Sequence, residues 1–180
     1  MIIDPAGLDR RRRNALINGL VSPRPIAWVS SLAPDGARNL APFSFFGAFS
    51  FDPPTIGIGP GSRQGEPKDT LRNVEASGEL VVNLVDRRLA AVANACSGEW
   101  GPGVDEWEVV AAAGVTPAAS ETVRPPRVEQ APAALECSVV EVLELGSAER
   151  RSNGLVVARV NRVHVADRAL RGLVPDSGEL

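Results

Sequence analysis

The stretch NLAPFSFFGAFSFDPP, Asn39 to Pro54, holds all five phenylalanines of a chain of 180 residues that contains no tyrosine. Phe43, Phe45, Phe46, Phe49 and Phe51 are interleaved with Ser44, Ser50 and Gly47 and bracketed by Pro42 and Pro53-Pro54. Side chains alternate across a strand, so a period of two puts Phe43, Phe45, Gly47, Phe49 and Phe51 on one face and Ser44, Phe46, Ala48 and Ser50 on the other. The odd-numbered face is expected to fill core or a subunit contact. Pro42 cannot donate to a ladder and Gly47 has no Cβ, so an edge, a bulge or the close approach of another group is expected. A bulge would shift the face assignment.

Upstream, RPIAWVSS (Arg24 to Ser31) is apolar with β-branched and aromatic residues and reads as a strand. Pro34-Asp35-Gly36 supplies turn chemistry, so the phenylalanine stretch is expected to fold back as its antiparallel partner. Downstream, TIGIG (Thr55 to Gly59) and ELVVNLV (Glu79 to Val85) read as strands. Two more, Ala133 to Leu145 and Leu155 to Val165, meet around Ser152-Asn153-Gly154, an Asn-Gly hairpin signal. Helices are expected near Asp9 to Leu20, at Thr70 to Ala76 with Asp69 as N-cap and Gly78 as its stop, at Asp86 to Cys96, and at Val104 to Ala113. The Gly- and Pro-rich excursion from Ser97 to Pro132 carries Trp100, Trp107, Val109 and Val110, so it reads as a covering or partner-contacting segment rather than a linker. About six strands against three or four short helices favour a mainly antiparallel sheet or barrel, in one domain spanning 1–180.

Composition narrows the function. With 44% hydrophobic residues, 23% charged and a net charge of -3, the chain has the make-up of a soluble globular protein and not that of a general nucleic-acid binder. The run Arg10 to Arg13 reads as a solvated helix face, with a phosphate-binding arm as the alternative. No secretory signal and no membrane span of about 18 apolar residues is visible. Cys96 and Cys137 are far apart without a CxxC, which supports neither a disulfide framework nor a zinc ribbon and suits the cytoplasm. His164 is the single histidine. Any Ser/His/Asp triad would need it, which shifts weight toward cofactor chemistry.

Among local motifs, GIGPGS (Gly57 to Ser62) is neither GxGxxG nor a P-loop and reads as a turn. Lys68-Asp69-Thr70 opens a helix whose free N–H groups attract phosphate, with Arg63 and Arg72 close in sequence. A plain cap with solvated cations is the competing explanation. Asp105, Glu106 and Glu108 complement a helix dipole more readily than they form an acid/base pair. His164, in the alternating strand VNRVHVAD, reads as structural, with a nicotinamide or flavin contact as the alternative.

Taken in order, SPRPIAWVSS, PDG, NLAPFSFFGAFSFDPP, KDTLRNV, GELVVNLV, GVDEWE, PPRV and ALEC resemble the flavin reductase-like family of FMN-binding split-barrel proteins, from about Leu20 to Asp167. The resemblance implies a mainly β fold with short helices, a six-stranded antiparallel split barrel, forming a homodimer with noncovalent FMN near the interface. Arg24, Pro25, Ser30 and Ser31 would then lie along the flavin. Ala41, Pro42, Phe43 and Ser44 would offer backbone groups and a hydroxyl to the ring. Lys68, Asp69 and Thr70 would hold the phosphate, helped by Arg63. The implied activity is an NAD(P)H-dependent flavin reductase passing hydride from nicotinamide to flavin, with no catalytic side chain. Reduced flavin would pass to a monooxygenase or another acceptor. The alternative is an FMN-binding electron carrier or flavin store without turnover. The family's C-terminal arginine-leucine-glycine-glycine motif does not appear before the final SGEL, and no nicotinamide motif is present.

Overall fold

A computed structural model describes residues 1–63, 66–98, 100, 104–147, 150–176 and 178, with the side chains of 63, 147 and 150–153 excepted. Apart from Gly178, the C-terminal SGEL lies outside them.

Seven strands build the main sheet: β1 Ala27–Leu32, β2 Arg38–Phe43, β3 Phe46–Phe51, β4 Pro54–Ile58, β5 Glu79–Leu84, β6 Ala133–Ser147 and β7 Arg150–Val165. Their order is β2-β1-β5-β6-β7-β4-β3, and every neighbouring pair is antiparallel. The seventh strand arises because the phenylalanine stretch is not one strand. It breaks at Ser44-Phe45 into β2, on one edge of the sheet, and β3, on the other.

That break dictates the architecture. Laid flat, seven strands would hold their edges about 29 Å apart at about 4.8 Å per spacing. Phe43 and Phe46 are three Cα steps apart and can be separated by at most about 11 Å. The sheet therefore curls until its edges meet at this link, but β2 and β3 share no ladder, which leaves a barrel split along one seam.

Helix α2, Asp69–Ser77, plugs the barrel. Its Leu71 and Val74 join Val29, Phe43, Ile58 and Val156 in the inner core. On the opposite face of β1, Trp28 packs in a second core with Leu40 of β2, Ala93 of α3 Ala90–Ala95, Cys96 just after it, and Trp107 and Val110 of α4 Glu106–Ala111. Burial on both faces explains why β1 reads as a continuous apolar run. The Ser97 to Pro132 excursion thus covers the sheet. It is pinned there by buried Asn83, which donates to Trp28 O at 2.9 Å and accepts from Val128 N–H at 2.7 Å. No described helix is long and apolar enough to cross a membrane.

Several sequence expectations shift by physical necessity. The strand parity resets at the Ser44-Phe45 link, so the phenylalanines packed on the inner core are Phe43 and Phe46. Phe49 and Phe51, expected on the filled face, are 71% and 91% exposed in this single chain. The first strand begins at Ala27 and not Arg24, because Arg24 turns back to the carbonyls of Asn18 and Val21 at the end of helix α1, Arg10–Leu20. The third helix starts only at Ala90, since the Asp86 carboxylate first accepts the N–H groups of Arg88 and Leu89, each at 3.0 Å, in a turn. Asn153 and Gly154 pair with Leu145 and Glu144 inside the β6–β7 ladder and do not form its turn. A Cβ on Gly154 would stand 3.0 Å from both Leu71 methyl carbons, so this glycine makes room for α2.

Candidate functional site

A cleft of about 630 Å³ opens where β2, the start of α2 and the α3–α4 layer meet. That is the size of a small-molecule site. Ala41, Pro42 and Phe43 form one wall, and Lys68, Asp69 and Thr70 a second. Cys96, Ser97, Gly98 and Glu106 close the far side. Six residues expected at the site from sequence are thus brought together.

The second wall combines a helix start with a cationic side chain. Lys68, not Asp69, is the N-cap residue of α2, and it makes no side-chain capping bond. The N–H groups of Asp69 and Thr70 have no acceptor within the helix, and the helix start carries a partial positive charge. Lys68 Nζ sits 5.5 Å from the centre of the Phe43 ring, which joins the cationic wall to the aromatic one. Asp69, in the first helical turn, pairs with Arg72 at 2.7 Å. Half-exposed pairs of this kind add little stability, and the pair neutralises itself at the cleft mouth.

Behind this wall lies a hydrogen-bonded chain of buried polar side chains. Thr70 is only 1% exposed and its hydroxyl donates to Asn39 Oδ1 at 2.6 Å. Ser31 Oγ donates to the same oxygen at 3.2 Å and accepts from Asn73 Nδ2 at 3.1 Å. Asn39 Nδ2 in turn donates to both carboxylate oxygens of Glu106 at 3.1 Å, and Leu40 N–H donates to Glu106 Oε2 at 3.1 Å. Burial pushes the Glu106 pKa up in spite of these donors, and the negative charge of Asp69 adds to the rise. Beside it, Arg38 clamps α4 to β2 through Asp105 at 2.6 Å and Glu108 at 3.1 Å.

Asn39 and Glu106 were not legible as site residues. Both lie in recognisable stretches, the start of the phenylalanine segment and GVDEWE. Glu106 shares a helical face with Trp107 and Val110, and that was the one signal that it points inward.

The other expected residues lie elsewhere. Arg24 donates to Ser44 Oγ at 3.4 Å and stacks 5.5 Å from the Phe45 ring centre, at the seam beyond the end of β2. Pro25 is exposed beside it. Ser30 is fully buried, and its hydroxyl has no partner among the described residues. The Arg63 side chain lies outside the described residues, although its backbone pairs with Glu66 next to the cleft. His164 is not in the cleft wall; its Nε2 donates to Glu136 Oε1 at 2.6 Å. Cys96 and Cys137 are free and buried, and burial pushes their thiols up to about 11 and about 12. Among the described residues no group of histidine, cysteine and acidic side chains could hold a metal ion.

A family profile described as the flavin reductase like domain matches residues 20–178. The chain belongs to the flavin reductase-like family. It is similar to nitrilotriacetate monooxygenase component B from Bacillus cereus, at 32% identity and a TM-score of 0.89 over 96% of this chain and 84% of that one. A flavin reductase with split barrel domain from Shewanella frigidimarina, 22% identical, shares the fold at a TM-score of 0.78 over 96% and 83% of the two chains. A protein of Deinococcus radiodurans is 39% identical over 148 residues, which is 79% of this chain and 64% of the relative. The barrel opened at the Ser44-Phe45 link is the split barrel of this family.

Proposed function

We propose that this flavin reductase-like protein binds FMN in the cleft, phosphate toward the start of α2 and ring along β2, and acts as an NAD(P)H-dependent flavin reductase. The observation that carries this is the cleft itself: a cationic helix start and an apolar β2 wall, side by side in a member of this family. The residues fit the group. Lys68 and the N–H groups of Asp69 and Thr70 would neutralise the phosphate. The backbone of Ala41, Pro42 and Phe43 would flank the ring, pointing it toward Ser44, which Arg24 holds. Ser30 and Ser31 would act from beneath, and Arg63 would assist at the phosphate.

Bound flavin supplies the hydride-accepting chemistry, which accounts for a site built from positioning groups and not from a side-chain acid or nucleophile. A homodimer would cover the exposed Phe49 and Phe51, and the similarity to a monooxygenase component B supports a monooxygenase as the acceptor of reduced flavin.

The purified protein is expected to take up FMN and to bleach at a catalytic rate when NADH or NADPH is added without oxygen. A flavin spectrum indifferent to both nucleotides would make the protein a carrier or store, and no flavin uptake would remove both readings. Lys68→Ala is expected to weaken FMN at least about tenfold more than riboflavin, because a lost charge-assisted contact costs about 1.5–3 kcal/mol and riboflavin has no phosphate to lose. Equal losses by fluorescence titration would place the phosphate elsewhere.

A further inference from the structure

The chain of side chains behind the cleft has a direction. Asn39 gives both its functions away, its amide N–H to Glu106 and its carbonyl oxygen to the hydroxyls of Thr70 and Ser31. A threonine hydroxyl has one hydrogen and two lone pairs. While that hydrogen points at Asn39, Thr70 can show an anion in the cleft only a lone pair, which repels it.

The same side chains admit one other complete arrangement. If Glu106 carries a proton, its O–H donates to Asn39 Oδ1 once the amide has turned over, while its carbonyl oxygen keeps the Leu40 N–H. The Asn39 N–H groups then face Thr70 and Ser31, whose oxygens accept, and Asn73 turns its carbonyl toward Ser31. The Thr70 hydrogen is released toward the cleft.

We propose that Glu106 is a positioning residue that sets, through Asn39, whether the Thr70 hydroxyl donates into the protein or into the cleft, so that binding of an anionic group at the start of α2 is accompanied by uptake of a proton at Glu106. This rests on the placement of the flavin phosphate in that cleft. The charges around Glu106 favour the coupling. Asp69 on α2 acts on it through its charge and is itself paired with Arg72; Lys68 lines the same cleft; Arg38 on β2 is already paired with Asp105 and Glu108; and Cys96, just after α3, has a raised thiol that stays neutral. Its carboxylate is buried and already disfavoured, and an arriving dianion disfavours it further.

Calorimetric titration of FMN in buffers of different ionisation enthalpy, between pH 5 and 8, counts the protons taken up. A phosphate monoester itself titrates near pH 6, so the informative quantity is the difference between proteins. The unaltered protein is expected to take up more protons, by as much as about one, than Glu106→Gln, which fixes a neutral side chain, and than Thr70→Val, which lacks the hydroxyl. Its FMN affinity is expected to gain about tenfold more on acidification than that of either variant, the effect of one hydrogen bond to a charged acceptor. Thr70→Ser is expected to restore the proton count. Riboflavin is expected to bind with the same proton count in all four proteins. FMN binding tighter than riboflavin but with equal proton uptake in the unaltered protein, Glu106→Gln and Thr70→Val would overturn the relay alone. FMN and riboflavin binding equally would overturn the phosphate placement and the relay with it.

Discussion

Phe43 and Phe51 are the same residue eight positions apart in one aromatic run, yet one is 5% and the other 91% exposed. The difference lies in the pairing and not in any local preference: the seam resets the face of β3, its register against β4 shifts again between Ala48 and Ser50, as a bulge would do, and Phe51 ends the strand beyond the core. Phe43→Ala is expected to cost about 3 kcal/mol in chemical denaturation, the usual cost of truncating a buried aromatic, whereas Phe51→Ala in the monomer should stay within about 0.5 kcal/mol. A comparable loss at both would mean that Phe51 is packed as Phe43 is. Sequence periodicity named the right stretch but could not locate the reset, because a strand's facing is set by what it pairs with, and β3 pairs with β4 rather than with β1. At the cleft the same limit holds in chemical form. The helix start was readable from capping rules to within one residue, Lys68 taking the N-cap place expected for Asp69. Thr70, expected to offer its hydroxyl to an anion, instead spends it on Asn39, a partner brought near only by the fold.

Among the elements, those with an unambiguous apolar pattern were legible: β1, β4, β5 and α2 lie within a few residues of where the pattern puts them. Gly78 ends α2 with a φ of 70°, as its left-handed stop required. Gly154 was legible as special and wrongly read as a turn. Its role belongs to packing, since the plug helix approaches β7 so closely that a side chain would strike Leu71. Gly154→Ala is expected to lower stability by about 1–3 kcal/mol, as overpacking does, and to weaken FMN more than riboflavin by displacing the start of α2. Thermal melts paired with titration of the two flavins would check this; unchanged flavin selectivity would detach the plug from the cleft.

For the molecule as a whole, the excursion that covers the sheet is held partly by one carboxylate. Glu136 is fully buried and accepts from Glu121 N–H at 2.8 Å, from Thr122 N–H and hydroxyl at 2.6 Å each, and from His164. Burial alone would raise its pKa, but these donors outweigh burial and hold it down at about 2. A folded-state pKa below the unfolded one contributes stability above the unfolded value, near 4.5, that is lost as pH falls toward about 2. The contribution is roughly 3 kcal/mol, so denaturation midpoints should fall steeply across that window, and Glu136→Gln should flatten the fall. An unchanged slope in that variant would assign the acid sensitivity to other groups. A long excursion was legible, but not its fastening, because Glu136 sits in a strand that reads as ordinary alternation. The split seam also governs the order in which the chain can be assembled during synthesis. The β1–β2 and β3–β4 hairpins are made first and next to each other, yet they belong to opposite edges. They can be joined into one sheet only through β5, β6 and β7: β1–β2 gains a partner once β5 is made, but until β7 leaves the ribosome β3–β4 hangs from Ser44-Phe45 as an unsupported ribbon with an open edge and phenylalanine in water. The residues that make the barrel possible are therefore also those that leave the nascent chain most in need of protection from its neighbours.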